Sequence, residues 1–243
     1  MFTNILCTMI EEYSEPNVSK LSDLTGKFNS VGQGKILLVL NEVSDIKASS
    51  NKDMEEMKTI ISDRVSRVEE KYVKKKTGEN TMNIIIVTNN SAPVAITPND
   101  RRYLVVTVSP KFKGNKSFFD ALSAACTEEF YSELLTYYLS IDVSGFVPED
   151  IPWTQEKIDL AKATMSPIDR VCTTLLSRLT SPEGVRCSDV RSRLPDEYKS
   201  EEACGLVMKD RCIRKRVRDE DTNNLEWTYV LKPEYASCLK RLM

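Results

Sequence analysis

ILLVLNE, residues 36–42, decides how this chain of 243 residues is read. Ile36 to Leu40 form an unbroken apolar run with no polar face. Such a strand is buried on both sides, as in a parallel sheet whose connections cover its two faces. The run stops at an amide, Asn41, and a carboxylate, Glu42. At the carboxyl end of a parallel strand these side chains stand where open α/β folds bind ligands. The plainer alternative is a buried strand running into a solvated loop.

Working outward, residues 2–13 form an amphipathic helical piece. Residues 14–35, with Pro16, Gly26, Gly32 and Gly34, read as loop with a short strand. Downstream, Met54, Met57, Ile60, Ile61, Val65 and Val68 recur at spacings of three and four, one face of a helix over 52–70. The basic stretch KYVKKKTGEN follows, with a turn at Gly78-Glu79-Asn80. MNIIIV at 82–87 is a second buried strand and YLVVTV at 103–108 a third. Apolar strands alternating with a helix predict an α/β fold with a parallel sheet.

A long helix is predicted over 115–140, then two more over 154–164 and 167–180. Pro182 and Gly184 mark a boundary. Beyond it, helical patterns at 187–194 and 200–212 precede a basic strand, IRKRVR, a turn, DEDTNN, and an alternating strand, EWTYVL. Helices followed by a hairpin suggest a small winged-helix-like α+β domain over 185–243. The expected organisation is a core over 1–145, a helical connector over 146–184, and this module.

Composition excludes several chemistries. The chain has no histidine, so Ser-His-Asp and Cys-His centres are ruled out, and a zinc site of the usual kind is not expected. Its seven cysteines are odd in number and form no C-x-x-C pair, which reads as reduced, mostly buried thiols in an intracellular protein. A net charge of -2 selects no partner. No run reaches the roughly 18 apolar residues of a membrane span. The start lacks the basic region of a secretion signal.

Three strand ends carry candidate chemistry. In nucleotide hydrolases a strand ending like Asn41-Glu42 is the Walker B arrangement: one residue helps hold Mg²⁺ and the glutamate positions the attacking water. Thr88-Asn89-Asn90 ends the second strand with amides able to bond a water or a γ-phosphate, or simply to form an Asn-rich turn. Arg101-Arg102 offers planar donor forks suited to phosphate oxygens, unless the pair is only solvated.

Taken in order, these segments resemble the second half of a superfamily III helicase core, of the poxvirus-type and phage-type primase-helicases. LTGKFNS at 24–30, MKTIISDR, VEEKY, TNNSAPVAITPNDRRYLVV, IPWTQEK at 151–157 and SPIDRV at 166–171 agree in sequence order, and the likeness spans 21–180. It implies a partial AAA+-like P-loop NTPase sheet. Glu42 would be the catalytic glutamate and Asn89 the γ-phosphate sensor. Arg101 or Arg102 would be the arginine finger, acting on ATP in the next subunit of a hexameric ring. Asn41, Glu42 and Asn89 would face ATP and Mg²⁺. Lys71, Lys74, Lys75 and Lys76 fall where the family places a hairpin that touches single-stranded DNA. Arg214, Arg216 and Arg218 share one face of the basic strand and would meet phosphates, or else pair with the acids of the turn.

Two departures qualify the resemblance. Asn41 stands where the family often has Asp, and an amide is a poorer Mg²⁺ ligand. A Walker A loop, G-x-x-x-x-G-K-[ST], is absent from these residues. Gly32-Gln33-Gly34-Lys35 is a decoy, because isoleucine and a strand follow it. The family's loop would precede residue 1, and ATP and Mg²⁺ are expected only of a protein that includes it. The competing expectations are a non-catalytic nucleic-acid-binding or oligomerisation module, or an unrelated α/β domain. The chain by itself should show no appreciable ATPase, because no nest of backbone N–H groups cradles the β- and γ-phosphates. Phosphate release with Mg²⁺ and single-stranded DNA checks this; robust turnover that vanishes in Glu42→Gln would refute it.

Overall fold

An all-apolar strand needs neighbours on both edges and cover on both faces, and Leu37 to Leu40 have them. The computed structural model describes residues 1–25, 29–42, 51–68, 76–148, 150–178, 184–218 and 225–242. Helix α1 (Phe2–Ile10) leads through a 3-10 turn into β1 (Ser14–Val18). A short helix α2 (Ser22–Thr25) precedes β2 (Leu37–Asn41). Then come α3 (Asn51–Ser62), the hairpin strands β3 (Val65–Val68) and β4 (Lys76–Glu79), and β5 (Asn83–Val87). The main sheet runs β1-β2-β5, parallel throughout. Leu37 to Leu40 are all buried, as a central strand requires. Alternation sends Leu37 and Val39 to one face, where they cluster with Cys7 of α1, beside Leu6, Ile10 and Ile85. The Ser14 hydroxyl donates to the Cys7 carbonyl at 3.0 Å, tying α1 to the start of β1.

The structure corrects several expectations. Val65 and Val68 belong to β3, not to the helix, which ends at Ser62. Asn80 stops it: its side chain donates to the carbonyls of Ile60 and Asp63, both at 2.7 Å. Gly78 and Glu79 are not a turn but part of β4, paired antiparallel with β3. YLVVTV forms no strand. Among the described residues it has no ladder partner, and Leu104, Val106 and Val108 stand 57%, 68% and 89% exposed. The long helix is two, α4 (Lys116–Ala125) and α5 (Glu128–Ser140), because Thr127 caps the second by accepting from the Phe130 N–H at 3.3 Å.

Residues 1–95 with 106–152 make one compact unit, and 96–105 with 153–243 make another. In the second, α6 (Gln155–Thr164) and α7 (Pro167–Arg178) lead to β6 (Val185–Arg186), α8 (Cys187–Arg193), α9 (Glu201–Met208), β7 (Cys212–Arg218), β8 (Leu225–Leu231) and α10 (Pro233–Leu242). The two-residue β6 and the helix α10 had no counterpart in the sequence reading. The antiparallel order is β6-β8-β7. Its core joins Cys172 and Leu176 of α7, Val190 of α8, Met208 of α9, Tyr229 of β8 and Leu239 of α10.

All seven cysteines are free, five of them buried. Among the described residues, no helix is long and apolar enough to cross a membrane. Gly184, just before β6, has φ +96, and a Cβ there would lie 2.5 Å from the Tyr229 carbonyl oxygen. Gly184→Ala therefore combines a left-handed strain with a backbone clash. It should lower stability by more than about 1 kcal/mol, read from urea unfolding.

Candidate functional site

The parallel register of β2 and β5 brings two strand ends level, with Asn41 beside Val87. The ladder continues one step: the Glu42 N–H donates to the Val87 carbonyl at 2.9 Å. There the chain turns sharply, with Glu42 at φ +46, a left-handed conformation unusual outside glycine. Backbone strain of this kind persists where surrounding structure imposes it, often at functional sites. On the neighbouring strand Thr88 and Asn90 fold the loop: the Thr88 hydroxyl accepts from the Asn90 N–H and the Asn90 side chain from the Ala92 N–H, both at 3.0 Å. Asn89 Nδ2 donates to Glu42 Oε1 at 3.3 Å. Both side chains are exposed. An amide thus fixes one carboxylate oxygen at an accessible sheet edge.

Asn41 does something else. Its Nδ2 donates to the Pro16 carbonyl at 3.2 Å and to Asn17 Oδ1 at 3.3 Å, fastening β2 to the end of β1. Among the described residues no group of three or more acidic, histidine or cysteine side chains is gathered as a metal site. A Mg²⁺ ion here would draw most of its ligands from nucleotide phosphates and water, which is how Mg²⁺ usually binds.

Arg101 and Arg102 lie in the second unit, on a segment strapped along α6. The Ile96 N–H donates to Thr164 Oγ1 at 3.1 Å, and the Thr154 hydroxyl donates to the Val105 carbonyl at 2.5 Å. Between these anchors sits Lys157, fully buried. Its ammonium donates to the Asp100 carbonyl at 3.1 Å, pairs with Asp100 Oδ1 at 3.3 Å, and lies 4.6 Å from the centre of the Trp153 ring. Burial pushes the Lys157 pKa down, opposed by the Asp100 charge. Asp100 Oδ1 also accepts from the Arg102 and Tyr103 N–H groups, both at 3.0 Å, and so shapes the arginine turn. Burial, then the Asp100 charge, raises the Tyr103 phenol to about 12. Arg101 is exposed and Arg102 half-buried.

Of the basic residues, Lys71, Lys74 and Lys75 lie outside the described residues, as does the Lys76 side chain. Arg214, Arg216 and Arg218 are all on β7. Arg214 pairs with Glu201 at 2.5 Å, and the guanidiniums of Arg214 and Arg216 lie 4.4 and 4.9 Å from the Trp227 ring centre. The sequence reading missed Asp100, Lys157 and Trp227. Asp100 had a signal, an aspartate two residues ahead of a turn N–H. A lysine on a polar helix gives no sign of burial.

Residues 1–102 match a family described as "Family of unknown function (DUF5906)". The chain is 25% identical over 186 residues to the DNA primase-polymerase of Nitratiruptor phage NrS-1, covering 73% of this chain and 25% of that protein. It therefore spans about a quarter of that relative's length. Solved apo structures of the NrS-1 C-terminal region share its fold. One aligns with a TM-score of 0.57 at 18% identity, covering 95% of this chain and 63% of the other. Another, described as the A form, gives 0.54.

The strain at Glu42 has a measurable consequence. A glycine adopts φ +46 freely, whereas alanine keeps the Cβ penalty of the left-handed region. Glu42→Gly should be more stable than Glu42→Ala by about 1 kcal/mol in chemical denaturation.

Proposed function

We propose that this chain supplies the water-activating and charge-sensing part of a viral superfamily III replication helicase, a nucleotide hydrolase that unwinds DNA. The observation that carries this reading is the Asn89–Glu42 hydrogen bond across two parallel strand ends. Glu42 accepts a hydrogen bond from the attacking water and holds it in line. Asn89 keeps the carboxylate oriented and senses the γ-phosphate through its amide. Arg101 or Arg102, reaching ATP bound to the next copy in a hexameric ring, neutralises the charge that develops on the transferred phosphoryl group. Mg²⁺, arriving with ATP, would be held near Glu42 and Asn41 and would supply charge neutralisation for the phosphates. Similarity to a phage primase-polymerase supports a role in viral DNA replication, inside the infected cell.

The phosphate-binding loop comes from a segment outside these residues. The outer edge of β5 suits the strand that would carry it. Asn83 and Val87 use their peptide groups toward β2 and its flanks, so Ile84 and Ile86 direct theirs outward. Among the described residues nothing pairs with that edge, and three consecutive isoleucines make it a strong template for another strand.

The C-terminal unit completes the reading. Its order of a helix, a short strand, two helices and a hairpin, with sheet order β6-β8-β7, supports a winged-helix-like reading. Its basic hairpin would meet single-stranded DNA through phosphates, with Lys71, Lys74, Lys75 and Lys76 as a second contact. A non-catalytic nucleic-acid-binding or oligomerisation module is the rival reading, favoured by the Asn41 amide being tied to β1.

A polypeptide that joins this chain to a loop-bearing segment separates the two. Magnesium-dependent ATP hydrolysis should appear and collapse in Glu42→Gln. Replacing the operative arginine should lower turnover by about 10³- to 10⁵-fold while ATP still binds. Mixed rings of the arginine and Glu42 variants should regain part of the activity. Absence of turnover despite ATP binding would favour the non-catalytic module.

A further inference from the structure

Between α8, the start of α9 and β8 lies a cavity of about 270 Å³. Its buried lining includes Cys204 and Tyr229, whose thiol and hydroxyl are 3.7 Å apart. Its exposed lining includes Trp227, at 42% exposure, with Arg191, Arg214 and Glu201 around it. An aromatic plane, two guanidiniums (Arg191 and Arg214) and two carboxylates (Glu201, and Glu226, which pairs with Arg186) converge on a space just below the roughly 300–1,000 Å³ of small-molecule pockets. That space suits one ring system.

The occupant follows from the chemistry of these groups. The guanidinium carbons of Arg214 and Arg216 already lie 4.4 and 4.9 Å from the indole centre, within range of its π-face. A nucleobase is flat, as a guanidinium is, and stacks on aromatic side chains whatever its identity. A base displacing the Arg214 guanidinium from the ring would free that cation for the adjoining phosphate and release Glu201 from its ion pair. The carboxylate could then accept from a ring or amino N–H of the base. A duplex cannot present a base this way, because its bases stay stacked inside the helix.

We propose that this cavity takes one unstacked base of a single-stranded nucleic acid, lying on Trp227, with Arg191 and Arg214 at the flanking phosphates. The inference rests on the reading that the C-terminal unit binds nucleic acid, and it adds a base-stacking site to a surface otherwise expected to touch phosphates alone.

The test uses the full chain with Trp153→Phe, which leaves Trp227 the one tryptophan of the original two. Its fluorescence is followed at low salt on titration with a thymidine oligonucleotide, an abasic strand of equal length, and a duplex. Saturable quenching by the oligonucleotide alone is expected. With affinities read instead from the anisotropy of dye-labelled strands, Trp227→Leu should weaken oligonucleotide binding roughly 10- to 100-fold and leave abasic-strand binding unchanged. Trp227→Phe should retain most of the affinity, which separates loss of stacking from loss of folding. Equal affinity for the abasic strand without quenching overturns the base site while leaving the phosphate-binding reading intact. Quenching by the duplex as strong as by the single strand overturns the single-strand assignment. Binding of no nucleic acid at low salt removes both the site and the reading beneath it.

Discussion

The in-register parallel pairing of β2 with β5 is the constraint on which the candidate site depends. Parallel ladders align strand ends of the same polarity, so the residues that follow Asn41 and Val87 leave the sheet side by side. Glu42 is held at that point by its own N–H on Val87, at the cost of a left-handed backbone. Its carboxylate then lies within reach of Asn89, 47 positions away in sequence. A one-residue slip in this register would turn every side chain of one strand to the opposite face. It would also part the carboxylate from the amide.

In the second unit, one buried ion pair organises the segment that bears the arginines. Two charges removed from water are stabilising only when their remaining hydrogen-bonding capacity is met. Here Asp100 Oδ1 accepts from two backbone N–H groups as well as from Lys157, and the ammonium also finds a carbonyl and the Trp153 ring. The arginine turn is therefore fixed from below by the buried Asp100–Lys157 pair. Thr154 and Thr164, at the two ends of α6, hold the flanks of the same segment. Arg101 and Arg102 thus belong mechanically to the C-terminal unit although they follow the sheet strands in sequence.

The basic hairpin shows how a charge pattern is modified by neighbours. Alternation along β7 places Arg214, Arg216 and Arg218 on one face, but they do not stand as three equivalent cations. Arg214 is bound by Glu201 and lies over the Trp227 ring, and Arg216 shares the same ring. The indole is what makes this face chemically different from a row of solvated arginines.

The sequence by itself determined the apolar strands β2 and β5, the polar residues at their ends, the helices α6 to α9 and the basic hairpin. These are local signals: unbroken apolar runs, helical spacing, caps and alternation need only near neighbours. Tertiary structure decided the rest. Val65 and Val68 fit a helical period but pair across a hairpin. Tyr103 to Val108 have a strand's composition, yet an isolated strand leaves its peptide groups without a ladder and stays outside the sheet. The Asn41 amide bonds β1, the Asn89 amide reaches Glu42, and Lys157 is buried against Asp100. Each of these depends on a partner from 24 to 57 positions away, a distance over which composition and periodicity carry no information.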